Sequence, residues 1–422
     1  MEQMTISRTQ EPFGGTVYIP ASKSYMHRYI LAAALGKEAC RIQNAGFSND
    51  IDATLQCAAA MGARVARAAG RVEINGVTAA ANPPQFDCGE SASTLRFLIP
   101  IAIALCGGGH FTGAETLLRR PLEPYFQIFE QNSIAYSYLP GKSLDVKGVF
   151  TQKAYHIDGA VSSQFVTGLL YALPLLDFDS KLIIDGTLES KPYVDITLDV
   201  LAAAGIQIEN KGYRIFQIRG GQRYRLRDVA AQGDYSQAAF FLAAGLFAGP
   251  VRLKNLARQT MQGDAVIVDL VQKMGGHVYW KGDDLIAQPS ALRALGTVDA
   301  HDFPDLVPVL ALICSQCAGD TVITHIGRLK IKESDRLEAT KELLCTLGVQ
   351  SLAGDDTLFI RGGARLTGGR VDSRNDHRMA MTAAVAALAS ASPVTILEPW
   401  SVRKSYPQFY EDFKKLGGVR CE

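Results

Sequence analysis

No stretch of this chain stays apolar long enough to cross a bilayer. The longest such run, Phe97 to Cys106, is interrupted by Pro100 and falls short of the ~20 residues that a membrane helix needs. An excess charge is also missing. The 43 Lys and Arg residues nearly cancel the 42 Asp and Glu, leaving +1, so no general pull toward nucleic acid or a membrane surface is expected. Any selectivity for anions must come from a local cluster of cations. The sequence holds no glycine-rich dinucleotide fingerprint, Walker loop, HExxH or nucleophile elbow, and a dehydrogenase would need the first of these. Met1 to Ser7 has neither the basic start nor the apolar stretch of a targeting peptide. Cys314 and Cys317 form a CxxC inside the apolar run Leu306 to Cys317, and no second pair at zinc spacing accompanies them. They read as buried thiols rather than a metal or redox site, and the eight cysteines fit a reducing cytoplasm.

The 422 residues, 47% hydrophobic and 20% charged, describe an ordinary globular chain of about two domains. One pattern recurs along it: an amphipathic helix, a glycine or polar breaker, then a β-prone segment. The helical stretches are Asp52 to Met61, Pro121 to Gln131, Asp195 to Ala204, Ala265 to Met274, Arg336 to Leu347 and Pro407 to Leu416. Their breakers, Gly62, Asn132, Gly205, Gly275, Gly348 and Gly417, follow one another every 69 to 73 residues. Six such units at near-constant spacing argue for an internal repeat, and the period is too long for the common solenoids. Each repeat is therefore expected to be a small α/β fold, three to a domain. The runs Ile30 to Leu35, Ala238 to Phe247 and Met379 to Leu388 are apolar nearly all round, which places helices inside and sheets outside. Thr321 to Ile326 and Pro393 to Leu397 are β-branched and strand-like. Met4 to Ile19 carries a hairpin signal at Gly14-Gly15. The expected domains are residues 21–232, and 1–20 together with 233–422. Hinges would lie near Pro20 and Gly233, with the active site in the cleft between the domains.

Short polar motifs precede several of the apolar helices. Pro20 to Arg28 holds Ser22, Lys23, Ser24 and Arg28 at a helix start, where free N–H groups and the dipole favour an anion. Gly89 to Arg96 combines Glu90 with small residues, Ala92 among them, that let a ligand approach the backbone. Arg119-Arg120-Pro121 sets two cations at an expected helix start, an electrostatic cost that suggests a ligand; a plain surface pair is the alternative. Further on stand Ser162-Ser163-Gln164 and Ser190-Lys191-Pro192-Tyr193. Asp305, in Phe303-Pro304-Asp305-Leu306, sits beside an apolar run, and burial would raise its pKa and suit it to proton transfer; a plain helix cap is the alternative. Lys330 to Arg336 packs three cations and two acids into seven residues, a pattern usual for a solvated helix face. Asn375-Asp376-His377-Arg378 opens a buried helix with four polar residues, and Lys404 lies near the end.

Taken together, the phrases SKSxxxR, SSQF, SKPYxDITL, MQGD, KESDR and NDHRMAM resemble the 5-enolpyruvylshikimate-3-phosphate synthase family over nearly the whole chain, from Ile19 to Gly417. The resemblance implies the two-domain enolpyruvyl-transferase fold. This is an inside-out α/β barrel in which each domain has three repeats of a small βαβαββ unit, helices inside and sheets outside. It implies transfer of the enolpyruvyl group of phosphoenolpyruvate to the 5-hydroxyl of shikimate 3-phosphate, by addition and then elimination of phosphate. No metal or organic cofactor is implied, and a cytoplasmic monomer without nucleic-acid or membrane partners is expected. Lys23, Ser24, Arg28, Ser162, Ser163, Gln164, Ser190, Tyr193, Asp305 and Lys332 match the positions that hold shikimate 3-phosphate. Lys23, Ala92, Arg120, Gln164, Arg336, Arg378 and Lys404 match those around phosphoenolpyruvate. Lys23, Asp305, Glu333 and His377 match the catalytic positions, with Glu333 the acid that works on the enolpyruvyl carbon. Arg96 and Asp234 match positions close to the site. Both substrates are polyanions, which is why Arg forks and Lys point charges must converge on them.

Three departures from the family pattern stand out. Ala92 replaces a common glycine, which implies reduced sensitivity to glyphosate; Glu90 replaces a common asparagine, and Arg328 stands where some members carry asparagine. The sister family that acts on UDP-N-acetylglucosamine has Lys-Asn in the first motif and a reactive cysteine near residue 115. Here Lys23 is followed by Ser24, and no cysteine lies between Cys106 and Cys314. A non-catalytic anion-binding relative is the other alternative, against which Lys23, Asp305, Glu333, Arg336 and Lys404 are all intact.

Overall fold

Strand after strand alternates buried and exposed residues. In Ala39–Gln43 only Cys40 and Ile42 point inward, and in Ala154–Asp158 only Tyr155 and Ile157 do. Such strands make sheets with one wet face and one packed face. The structure is a computed structural model that describes residues 2–78 and 83–422. The chain divides into two compact units, Ala21–Ala231 and Met1–Pro20 with Gln232–Glu422.

In the unit Ala21–Ala231, three four-stranded sheets surround one apolar core. The second sheet shows the plan. Strand Gln85–Asp87 leads into helix Ala92–Cys106 and returns as the parallel strand Gly108–Thr112. Helix Glu123–Gln131 follows, and the hairpin Ala135–Leu139 and Ser143–Lys147 closes the sheet antiparallel. The third sheet repeats this plan with Ala154–Asp158, helix Ser163–Ala172, Ser180–Asp185, helix Lys191–Ala203, Ile208–Lys211 and Ile215–Ile218. The first sheet borrows its opening strand. Val229–Ala230, from the far end of the unit, pairs in parallel with Ala39–Gln43.

In the other unit the same plan occurs three times around a second core. Here the exchange is at the amino end. Gly15–Tyr18 pairs in parallel with Val251–Lys254, while Gln3–Arg8 lies between Val394–Leu397 and Val419–Cys421 in another sheet. Among the described residues the βαβαββ unit therefore recurs six times, as the spacing of the helix breakers implied. Gly348, with φ 87°, ends one of the amphipathic helices.

The first helix of each unit is buried nearly all round. Tyr235–Phe247 and His377–Ala386 carry no exposed residue. The second helix of each unit, such as Val266–Lys273, has one buried face and one wet face. No helix among the described residues is long and apolar enough to cross a membrane. Cys314 and Cys317 are buried free thiols.

One expectation fails here. Gly14-Gly15 does not turn a hairpin, because the strands on either side belong to different sheets. Both glycines have φ 148°, and a Cβ on Gly14 would lie 2.7 Å from the Pro250 carbonyl oxygen. The pair serves a close backbone approach in an extended conformation that other residues rarely adopt, and the sequence signal for that is the same as for a turn.

Candidate active site

Within the unit Ala21–Ala231, helix starts supply the polar side chains. Ser91 caps helix Ala92–Cys106 by accepting from the Thr94 amide, and Ser162 caps Ser163–Ala172 by accepting from the Gln164 amide. Capping by short hydroxyl side chains is what these residue types do well. Lys23 opens its helix, and its Nζ donates to Asp50 Oδ2 at 2.6 Å. Arg28 lies one turn on and is buried. Its Nε donates to Thr197, one Nη to the Ser24 carbonyl and the other to the Tyr193 carbonyl and Thr167. It also lies 5.0 Å from the Phe97 ring centroid. Burial pulls its pKa down to about 10, with nearby tyrosines acting the other way, so it stays charged at neutral pH. Four of its five N–H groups are spent on the protein. Arg28 thus fastens the loop of Ser190 and Tyr193 to the first helix. Ser190 is itself held left-handed, at φ 57° and ψ 48°, a conformation that costs a residue with a Cβ about 1–2 kcal/mol.

A second chain of contacts runs Ser93–Gln164–Arg96. Gln164 donates to Ser93 Oγ at 2.9 Å and accepts from Arg96 at 2.8 Å. Arg96 also donates to the Pro121 carbonyl and sits over Phe165. Ala92, half-buried, is the first residue of that helix. Arg120 is half-buried with no ion pair or side-chain hydrogen bond among the described residues. Arg119 does not share its role. It ends the short helix Glu115–Leu118 and pairs with exposed Glu115, so it complements the helix dipole instead of opposing it. The expected cost at that position is absent.

The other unit holds a denser cluster. Asp305, in the turn Pro304–Leu306, accepts from Arg336 at 3.0 Å and Arg378 at 2.9 Å, with Lys332 at 3.6 Å. Arg378 also donates to the Asp305 carbonyl. Arg336, with a side chain 1% exposed, reaches Asp376 at 2.9 and 3.2 Å and Glu333 through a short contact. Asp376 caps helix His377–Ala386 through the Arg378 amide and accepts from Ser334. Lys404 donates to the Asn375 carbonyl at 2.6 Å, and His377 is buried as the first residue of the helix. Asp234, also buried, caps helix Tyr235–Phe247. Arg328 donates to the His301 carbonyl.

Asp305 departs from expectation. Burial alone would raise its pKa, but the charges of Arg378, Lys332 and Arg336 outweigh it and hold the carboxyl well below the usual range. Asp305 is therefore an ionised acceptor. Lys332 is pulled down by burial, with Asp305 opposing. Burial also works against Arg336, but Asp376, Glu333 and Asp305 more than compensate, so its charge is reinforced. Nor is Lys330 to Arg336 one solvated helix face. A 3₁₀ turn ends at Ile331, and the helix begins only at Arg336 with Asp335 as its cap. That break lets Lys332 and Arg336 converge on Asp305, with Glu333 against Arg336.

Residues 7–413 match the family model described as EPSP synthase (3-phosphoshikimate 1-carboxyvinyltransferase). The chain belongs to the EPSP synthase family. It is 41% identical over 416 residues to the 3-phosphoshikimate 1-carboxyvinyltransferase of Clostridium novyi (strain NT), covering 96% of this chain and 95% of that one. It is 42% identical over 410 residues to the protein of the same name from Clostridium acetobutylicum, at the same coverage. Its fold is similar to that of EPSP synthase from Acinetobacter baumannii, with a TM-score of 0.83 at 22% identity over 100% of both chains. It is also similar to the enolpyruvyl transferase NikO from Streptomyces tendae, with a TM-score of 0.78 at 20% identity over 99% of this chain and 98% of that one.

Against the EPSP synthase family motifs, residue-type reasoning missed two acids. Asp50 partners Lys23, and Asp376 organises Arg336. Asp376 lies inside the NDHRMAM motif, and a carboxylate two residues ahead of an arginine at a helix start is its signal. Asp50 had none beyond its place two residues after Ser48, the cap of helix Asn49–Ala60.

Proposed function

We propose that this protein transfers the enolpyruvyl group of phosphoenolpyruvate to the 5-hydroxyl of shikimate 3-phosphate and releases phosphate, a step of the shikimate pathway toward aromatic amino acids. The observation that carries this reading is the family match across residues 7–413. The anion-handling motifs supply its chemistry. Lys23, Ser24, Arg28, Ser162, Ser163, Gln164, Ser190, Tyr193, Asp305 and Lys332 would receive shikimate 3-phosphate. Lys23, Ala92, Arg120, Gln164, Arg336, Arg378 and Lys404 would receive phosphoenolpyruvate.

The hydroxyl oxygen attacks C2 of phosphoenolpyruvate while C3 gains a proton, and a tetrahedral adduct forms. Its C2–phosphate bond then breaks, C3 gives up a proton, and the enol ether remains. Glu333 is assigned the proton at C3, and ionised Asp305 accepts from the attacking hydroxyl with help from Lys23. A carboxylate gripped by three cations is a weak base. Its basicity rises as Arg336, Arg378 and Lys332 turn toward the substrates, so binding and activation are linked. His377 would support the proton transfers from the adjoining helix start.

The test is incubation with both substrates, reading phosphate release and the mass of the product, with UDP-N-acetylglucosamine as the rival acceptor. Product from shikimate 3-phosphate alone is expected. Turnover of the sugar nucleotide, or of neither acceptor, refutes the reading.

A further inference from the structure

The family phrase Met261-Gln262-Gly263-Asp264 lies apart in sequence from the residues that would receive the substrates. Gln262 caps the turn Gly263–Ala265, which leads into helix Val266–Lys273. Gln262 grips the start of helix Tyr235–Phe247, accepting from the Tyr235 amide at 3.1 Å and donating to the Gly233 carbonyl at 2.9 Å. Asp264 turns the other way, into the protein, and is 5% exposed. One carboxyl oxygen takes a short hydrogen bond from the Ser236 hydroxyl, and the other is buried with no hydrogen-bond partner among the described residues. An ionised carboxylate seeks several donors, so a buried one with a single donor is better off neutral. The charged groups that act on it are Asp305 from the turn Pro304–Leu306, Arg378 from helix His377–Ala386 and Asp234 at the cap of Tyr235–Phe247. Asp269 and Lys273, on the helix that follows, are exposed to solvent.

We propose that Asp264 is a positioning residue for this reaction: it carries a proton when phosphoenolpyruvate binds, and losing that proton weakens the hold of Arg378 on the anion. The proposal rests on the reaction assigned above. Burial first, then the Asp305 charge, push the Asp264 pKa up to about 7, against Arg378 and the Ser236 hydrogen bond. Below that pH, Asp264 adds no negative charge to that of Asp305, which pairs with Arg378 at 2.9 Å. Above it, a second negative charge acts on the same arginine, and the site's attraction for an anion falls. The linkage is reciprocal: an anion drawn to Arg378 raises the proton affinity of Asp264, so binding near neutral pH takes up a proton.

The KM for phosphoenolpyruvate, measured from pH 5.5 to 9 at saturating shikimate 3-phosphate, separates this role from a merely structural one. In the unmodified enzyme it should rise about three- to tenfold through neutral pH beyond the titration of the ligands themselves. Asp264→Asn should abolish that rise and keep the low-pH value throughout. Ser236→Ala deletes the hydrogen bond that favours the charged form, and should move the rise to higher pH. If Asp264→Asn turns over with the wild-type profile, the proposal is wrong while the assigned reaction stands. If Asp264→Asn fails to fold, an unmoved rise in Ser236→Ala is the refuting result. If the unmodified enzyme itself does not turn over, the assigned reaction is what fails, and sulfate, whose charge is constant in this range, becomes the probe. Its affinity by calorimetry should fall between pH 6 and 8 in the unmodified chain but not in Asp264→Asn, and equal falls in both overturn the proposal.

Discussion

Replacing Arg336 with Met tests how much of the fold depends on the charge cluster. Arg336 is 1% exposed and donates to three carboxylates. Two of them keep other support or solvent. Asp305 retains Arg378 and Lys332, and the Glu333 side chain is 20% exposed. Asp376 does not: it is fully buried and, among the described residues, keeps only the Ser334 hydroxyl and the Arg378 amide. Stranding one buried carboxylate costs about 3–5 kcal/mol. For a cooperative unit of this size each kcal/mol lowers Tm by roughly 2–4 °C, so Arg336→Met should melt about 6–20 °C below wild type. Adding Asp376→Asn removes the stranded charge and should restore part of the loss, a coupling of about 0.5–3 kcal/mol. Because the pair is buried, the loss should persist in high salt. Arg336→Lys should not rescue it, since one ammonium cannot span three carboxylates as a guanidinium does. Thermal and urea unfolding of the two single variants and the double variant at pH 8 give the numbers. A Tm within about 2 °C of wild type, or strictly additive effects in the double variant, would refute the reasoning.

Three further outcomes concern the reaction. Glu333→Ala should lower kcat by about 10²–10⁴-fold, the usual weight of general acid–base catalysis, and leave shikimate 3-phosphate binding nearly intact by calorimetry; full turnover removes Glu333 from proton transfer. Lys23→Met should damage both kcat and the KM for phosphoenolpyruvate, since the variant loses a charge and leaves Asp50 without its 2.6 Å partner; an effect on KM alone would make Lys23 a binding residue only. Ala92→Gly should sensitise the enzyme to glyphosate by about tenfold or more, the weight of one methyl group against a closely fitted ligand; inhibition curves that coincide for the two proteins end that idea.

The repeat was legible because it is local. An amphipathic stretch and its glycine or polar stop sit within about a dozen residues, and a near-constant period multiplies a weak signal by six. What stayed hidden was pairing over long separations. Nothing near Gly14 announces that Gly15–Tyr18 will lie beside Val251–Lys254, and a Gly-Gly pair reads as a turn until Pro250 is seen against it. The cations were legible as residue types at helix starts. Their partners were not, since Lys23 and Asp50 are 27 residues apart, and Arg336 and Asp376 are 40 apart. For the same reason the Asp305 pKa was misjudged: its apolar neighbours are adjacent in sequence, and the arginines that outweigh them are 31 and 73 residues away.

The borrowed strands also order events during synthesis. All the partners of Ala21–Ala231 lie in one continuous stretch, so that unit can complete its sheets while the rest is still being translated. The other unit cannot, because Gln3–Arg8 needs Val394–Leu397 and Val419–Cys421. At about 5–20 residues per second, Gln3–Arg8 waits tens of seconds after its synthesis for its neighbours. Throughout that interval it is an unpaired edge, open to a chaperone or to a wrong partner.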